Sequence, residues 1–133
     1  MTVAEGQKLA AINMRDFKKY DIWNDSMKLV KQVYQFSETL PKEEKFGLVS
    51  QMCRATISIP SNIAEGTSRN SDAEFKRFLE IAIGSSFELE TQLLLCAELG
   101  FTKEETTTSL IEEINKVQKQ INNLILKIRQ DYK

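Results

Sequence analysis

Four segments of this chain place apolar side chains every three to four positions, and this helical period constrains the fold more than any other feature. The first segment is predicted to start at an N-cap at Asp21 and to end at Pro41, and the last to start at a capping box at Thr102. Period-two alternation is absent, and no glycine-bearing hairpin separates β-rich runs. Helices of about 15–30 residues joined by short loops predict an all-α, up-down-up-down four-helix bundle.

The second helix is predicted to begin around residues 42–44, to end at Gly66 and to contain a kink. Its apolar register continues through Pro60, which favours one helix over two. Proline has no N–H group and leaves the carbonyl of Thr56 without its helical partner. We therefore expect the second helix to be kinked at Pro60, with Asn62 bonding to exposed backbone nearby.

The third helix should start at a capping box, Ser71 with Glu74, and run to about Leu99. Its apolar residues fall on three stripes, which is more than one core face needs. This helix therefore either lies deep in the bundle or also faces a partner. Gly84 stands inside it, where glycine costs about 1 kcal/mol relative to alanine, and close helix–helix contact is the expected compensation.

The 133 residues are 41% hydrophobic and 28% charged, enough for one domain with a buried core. We expect a flexible N-terminal arm at residues 1–14 and the bundle at 15–133. The start lacks an apolar signal-peptide core, and no apolar run approaches the length that crosses a bilayer. Cys53 and Cys96 lie in apolar runs, which favours buried free thiols over a disulfide. Together these features predict a cytoplasmic protein without membrane contact.

The sequence contains no histidine, which removes the usual general base and the usual zinc ligand. The glycines are scattered, without the spacing of a nucleotide-binding loop. A dinuclear carboxylate centre would need a Glu-x-x-His pair or a comparable set of inward carboxylates. Glu88 and Glu90 point about 200° apart on a helix, so they cannot form one dyad, and we expect Glu88 to accept hydrogen bonds or to pair with Arg54. We predict no enzymatic activity, no metal and no cofactor.

Charge is distributed unevenly, although the net formal charge is only −1. Segments 15–37, 71–98 and 116–133 carry +2, −4 and +4, which suggests helices or subunits that pair by charge. Two sets of bases are candidate phosphate contacts: Arg69, Lys76 and Arg77 near one end of the bundle, and Lys18 and Lys19 before the first helix. The alternative is a solvated rim of mixed charge.

Residues 54–66 read RATISIPSNIAEG, which resembles the RRAAVSIPANIAEG signature of a bacterial four-helix-bundle family. That family includes proteins encoded in the intervening sequences of bacterial 23S ribosomal RNA genes. The similarity spans about residues 16–128, although Cys53 stands where a second arginine is typical. Further matching stretches are Phe17-x-x-Tyr20-Asp21-Ile22-Trp23, Arg69-Asn70-Ser71, Glu74-Phe75-x-x-Phe78-Leu79, Ile83-Gly84-Ser85, Glu88-Leu89-Glu90 and Leu99-Gly100-Phe101.

The resemblance implies an all-helical subunit that assembles into a ring, commonly five-fold. A related branch, the accessory variability determinant of diversity-generating retroelements, is a pentamer that binds nucleic acid and assists a reverse transcriptase. We therefore expect a homo-oligomeric, non-enzymatic accessory protein that binds nucleic acid, RNA ahead of DNA, or a nucleoprotein, with Arg54 supporting the motif or lining a channel. The alternative is a protein-binding scaffold without nucleic-acid contact.

Overall fold

The computed structural model describes residues 15–131, with side chains for 15–129, so the N-terminal arm predicted at 1–14 lies outside the described residues. No strand occurs in this part of the chain. Short 3-10 helices precede the first and second α-helices, at Phe17–Lys19 and Lys42–Glu44. The four α-helices are α1 (Asp21–Ser37), α2 (Leu48–Thr67), α3 (Asp72–Glu98) and α4 (Glu104–Asp131).

The helices form an antiparallel bundle, as the sequence predicts. α2 and α3 pack most extensively, α1 contacts α2 and α4, and α4 contacts α3. The antiparallel register of α2 and α3 is set by two contacts. Ser58 Oγ lies 2.8 Å from Ser85 Oγ, and Cys96 Sγ lies 3.6 Å from Met52 Sδ.

The core is made by one apolar stripe from each helix, and it extends along the whole bundle. Among the described residues, ten of its large apolar side chains, spread over all four helices, have no exposed surface or almost none. Burial of each such side chain contributes about 1.5–3 kcal/mol, so this core is the main source of stability. These residues are Leu29, Val33, Met52, Ile59, Ile63, Leu79, Leu89, Leu93, Ile114 and Ile121.

Two predicted helix starts are wrong by a few residues. α1 begins with Asp21 inside its first turn, and Tyr20 occupies the N-cap without a side-chain bond. Asp21 therefore acts through the helix dipole rather than as a cap. α2 begins at Leu48, because residues 42–44 form a separate 3-10 turn. The predicted cap of α3 is confirmed, since Ser71 Oγ accepts a hydrogen bond from the Glu74 N–H at 3.2 Å.

α2 continues through Pro60 as one helix, as predicted, and Pro60 is buried. Asn62 Nδ2 donates to the Ser58 carbonyl at 2.8 Å and to Ser58 Oγ at 2.9 Å, which confirms the expected backbone contact. The kink at Pro60 stays a prediction.

The two glycines that interrupt helices have opposite environments. A Cβ at Gly66 would lie 2.8 Å from Phe78 Cβ and 3.0 Å from Phe75 Cδ1. Gly66 is thus the point where α2 and α3 approach closely, and α2 ends one residue later. A Cβ at Gly84 would meet nothing within 4 Å. The close contact predicted at Gly84 is therefore wrong, because this side of α3 faces outward.

α3 is only partly covered by the other helices, so of the two alternatives deep burial is excluded for this chain. Five large apolar side chains of α3 and its C-cap are more than two-fifths exposed. They are Ile81, Phe87, Leu94, Leu95 and, at the C-cap, Leu99. None of the helices within residues 15–131 is long and apolar enough to cross a membrane.

Candidate nucleic-acid interface

The up-down-up-down path places charges of different sign at the two ends of the bundle. The end formed by residues 15–22, 62–80 and 124–129, here the basic end, has eight basic and six acidic residues. The opposite end, residues 36–46 and 95–105, here the acidic end, has three basic and six acidic residues. A polyanion is therefore favoured at the basic end, even though the chain as a whole is slightly acidic.

Arg15 ties the segment before α1 to the loop between α2 and α3. Its guanidinium donates to the carbonyl oxygen of Arg69 and to Asp72 Oδ1, both at 2.6 Å. It also lies 4.8 Å from the ring centroid of Phe75. These contacts hold Arg15 against the start of α3, while the turn at Phe17–Lys19 packs on α1 and α2.

Arg69 also contributes to the contacts between the α2–α3 loop and the start of α3. Its Nη2 lies 2.9 Å from Glu65 Oε1, one turn earlier, and its guanidinium stacks 4.7 Å from the centroid of Phe78. Because its Nε is buried without a hydrogen-bond partner among the described residues, Arg69 is only partly available to a ligand. That Arg69, Lys76 and Arg77 act together as phosphate contacts stays a prediction.

The other basic residues predicted at this end differ in their exposure and in whether a carboxylate lies close to them. Lys76 is half-buried and lies 3.6 Å from Glu80. Arg77 is exposed, and within residues 15–129 no carboxylate lies within ion-pair distance of it. Lys18 and Lys19 are also exposed, and Lys18 Nζ lies 5.7 Å from the ring centroid of Phe17.

Arg54 does not join this group. It lies about 20 Å along the helix axis from the end of α2, given a rise of about 1.5 Å per residue. The predicted alternative of an ion pair with Glu88 is not formed between the described side chains. Glu88 instead accepts a hydrogen bond from Gln92 Nε2 at 3.2 Å, which was the other alternative. Arg54 is exposed on the outer side of α2.

A groove of about 630 Å³ between α3 and α4 was not identified from the sequence. It combines an aromatic ring, two cations and three side-chain amides. The α4 residues that line it occur at intervals of three and four, which is the signal that could have revealed it. Its lining is Glu80, Ile83, Phe87, Asn115, Gln118, Lys119, Asn122, Ile125 and Arg129.

The two cysteines differ in their surroundings, since Cys53 is half-buried and Cys96 is buried. Cys96 is fully buried, and burial, with a smaller effect of the Glu44 charge, raises the pKa of its thiol to about 11. It is therefore a poor nucleophile at neutral pH. Cys53 and Cys96 are both free. Within the described part of the chain, no group of three or more Cys, Asp or Glu side chains could hold a metal ion.

These features define an antiparallel four-helix bundle whose cations gather at one end. The profile of the family described as 23S rRNA-intervening sequence protein matches residues 18–123. The chain belongs to this family, as the resemblance at residues 54–66 predicted.

Among solved structures, the chain is similar to a protein with unknown function from the S23 ribosomal protein family of Bacteroides thetaiotaomicron VPI-5482. The two chains are 25% identical and superpose with a TM-score of 0.73. The match covers 78% of this chain and 97% of the other. No curated protein matches the sequence.

Proposed function

We propose that this protein is a non-enzymatic, homo-oligomeric bundle that binds RNA, alone or within a nucleoprotein, through its basic end. The observation that carries the proposal is the set of contacts made by Arg15, which ties the segment before α1 to the α2–α3 loop and the start of α3. Lys18, Lys19 and Arg77 are exposed bases at this same end of the bundle. Such a surface binds by neutralising phosphates, without reading sequence.

The predicted contacts differ in how much each is expected to contribute to RNA binding. Arg69 and Lys76 already have carboxylate partners, Glu65 and Glu80, so they contribute less to binding than the exposed bases. Surface ion pairs of this kind are weak, about 0–1 kcal/mol, and a phosphate can compete with them. Arg54 would contact RNA only if the ligand extended along α2.

The test compares two triple variants in binding to a fluorescent single-stranded RNA over a range of salt concentrations. Lys18→Gln/Lys19→Gln/Arg77→Gln removes the exposed bases of the basic end. Its matched control, Lys42→Gln/Lys45→Gln/Lys103→Gln, removes three bases from the acidic end.

The first variant should weaken binding roughly tenfold or more and make the salt slope shallower by about 2. The control should bind within about twofold of the parent. Equal losses in the two variants would contradict the assignment to the basic end. Absence of binding by the parent to a broad set of RNAs would contradict the function.

Self-association is proposed from the uncovered side of α3. Ile81, Leu95 and the C-cap residue Leu99 lie on one stripe, with the open Gly84 and the exposed Glu88 between Ile81 and Leu95. A neighbouring subunit packed on this stripe would bury it, in a ring that the family resemblance suggests is five-fold. Light scattering should give an oligomer for the parent and smaller species for Leu95→Gln. A monomeric parent would contradict this part of the proposal.

The same apolar stripe favours a second candidate function, a scaffold that recruits another protein. Pull-down from nuclease-treated lysate separates the two functions. A scaffold keeps its partner after nuclease treatment, whereas a partner held through RNA is released.

A further inference from the structure

We infer that the groove between α3 and α4 binds single-stranded RNA, with one base stacked on Phe87 and the adjacent phosphates on Lys119 and Arg129. This inference rests on the proposed function and assigns to it a second contact surface, separate from the exposed bases at residues 18, 19 and 77. The observation behind it is that aromatic, cationic and amide side chains line one groove.

Phe87 supplies a surface for stacking. Its side chain is 54% exposed, although it lies in the middle of a 27-residue helix and beside the core. Base–aromatic stacking is the usual way in which proteins hold unpaired bases, and it tolerates any base. An RNA duplex would not offer a free base face to this ring.

The charge of the groove suits the phosphate backbone. Lys119 and Arg129 line it, and neither has a carboxylate within ion-pair distance in the described part of the chain. The single acidic residue in the lining, Glu80, lies 3.6 Å from Lys76 Nζ, which offsets its charge. From residue 114 to 130 the sequence contains four basic residues and no acidic one.

Three amides can contact the base edges and the ribose hydroxyls. Glu90 Oε1 accepts hydrogen bonds from Asn115 Nδ2 at 3.1 Å and from Gln118 Nε2 at 2.9 Å, and Asn115 Nδ2 also donates to Gln118 Oε1. Glu90 thus fixes the two amides in place before any ligand binds, which lowers the entropy cost of recognition. The groove follows α4 from residue 115 to 129, about 21 Å of helix, long enough for several nucleotides.

Another groove in the same molecule shows that this composition is not general. Between α1 and α2, a groove of about 430 Å³ is lined by apolar side chains and one serine, without any charged residue. Its lining is Phe17, Trp23, Met27, Val30, Ile57, Pro60, Ser61 and Ala64. The combination of an aromatic ring, cations and amides is thus absent from the α1–α2 groove.

The experiment measures affinity for a fluorescent, uridine-rich RNA of about 12 nucleotides, within the range of single-strand site sizes. Phe87→Leu should lower the affinity about tenfold, and Phe87→Tyr, which keeps the stacking surface, should restore it. Lys119→Gln and Arg129→Gln should each make the salt slope shallower by about 0.7. The matched controls are Phe46→Leu and Lys103→Gln at the acidic end, which should leave binding unchanged; Phe46 is 89% exposed.

The outcomes separate the two proposals. If the parent binds RNA and Phe87→Leu binds as tightly as Phe46→Leu, this inference is overturned and the proposed function stands. If the parent binds no RNA, both fail. Tighter binding of DNA of the same sequence, or equal binding of an RNA duplex, overturns the single-stranded RNA assignment. Phe87→Leu could also lose RNA affinity because its oligomeric state changes. If its sedimentation changes together with the affinity, and that of Phe87→Tyr does not, the groove is a protein interface instead.

Discussion

The two ends of the bundle are built on the same helices, yet they are held together differently. At the basic end, Arg15 bridges two segments, Arg69 stacks on Phe78, and Gly66 lets α2 and α3 approach closely. At the acidic end, Phe46 is almost fully exposed, and its cation–π partner is its own neighbour, Lys45. Residues 54–66, which carry the resemblance to the family, thus end at the close contact of Gly66 with Phe75 and Phe78. Under the proposed function, the exposed bases around these contacts are the ones that bind the ligand.

The largest expected effect on the free energy of unfolding is the difference between alanine substitutions at the two helical glycines, Gly66 and Gly84. Gly66→Ala should destabilise the protein by about 1–3 kcal/mol, because the added methyl overlaps Phe78 and Phe75. Gly84→Ala should stabilise it by about 0.5–1 kcal/mol, because the methyl meets nothing and alanine favours helix. Urea unfolding of both variants checks the pair, at low protein concentration to limit self-association. Destabilisation by Gly84→Ala under these conditions would contradict the outward placement of that residue.

A smaller effect is expected from the cations that lie over aromatic rings. Arg15→Gln should cost about 1–2 kcal/mol, since it removes a carbonyl contact, an ion pair and a contact with Phe75. Lys45→Gln at the acidic end should change the free energy of unfolding by less than about 0.5 kcal/mol. Thermal unfolding compares the two variants. Equal losses would show that the basic end is no better fixed than the acidic one.

The smallest effect concerns Cys96, in the last turn of α3 and near Glu44. Its pKa is raised from 9.0 to about 11 by burial, so between these values the unfolded chain binds fewer protons than the folded one. Stability should therefore be unaffected below about pH 9 and should fall as the pH rises towards 11. Denaturant unfolding across this range should show the decline in the parent and in Cys53→Ala, but a shallower one in Cys96→Ala. The same slope in all three proteins would contradict the effect.

The fold could be predicted from sequence because its main signals are local. The stripes of α1 to α4 and the cap at Ser71 follow from spacing alone, and the end of α3 is confirmed by Gly100, whose φ is +75°. The starts of α1 and α2 were misplaced, because acidic residues such as Asp21 suit both a cap and a first turn.

The candidate interface was less predictable, because it depends on which helices are neighbours. Sequence predicts that Arg69, Lys76 and Arg77 share one end of the bundle, since they are close along the chain. It offers no means of pairing Phe87 with Lys119, which line one groove only because α3 packs on α4. The close contact expected at Gly84 occurs at Gly66 instead, since a pattern does not reveal which side of a helix is covered.

RNA binding at the basic end and in the α3–α4 groove can be tested by photo-crosslinking of the intact protein to a single-stranded RNA, followed by mass spectrometric mapping of the linked peptides. Crosslinks are expected within residues 15–19, 72–87 and 115–129. Crosslinks concentrated instead within residues 38–47 and 99–105, at the acidic end, would contradict RNA binding at these two places.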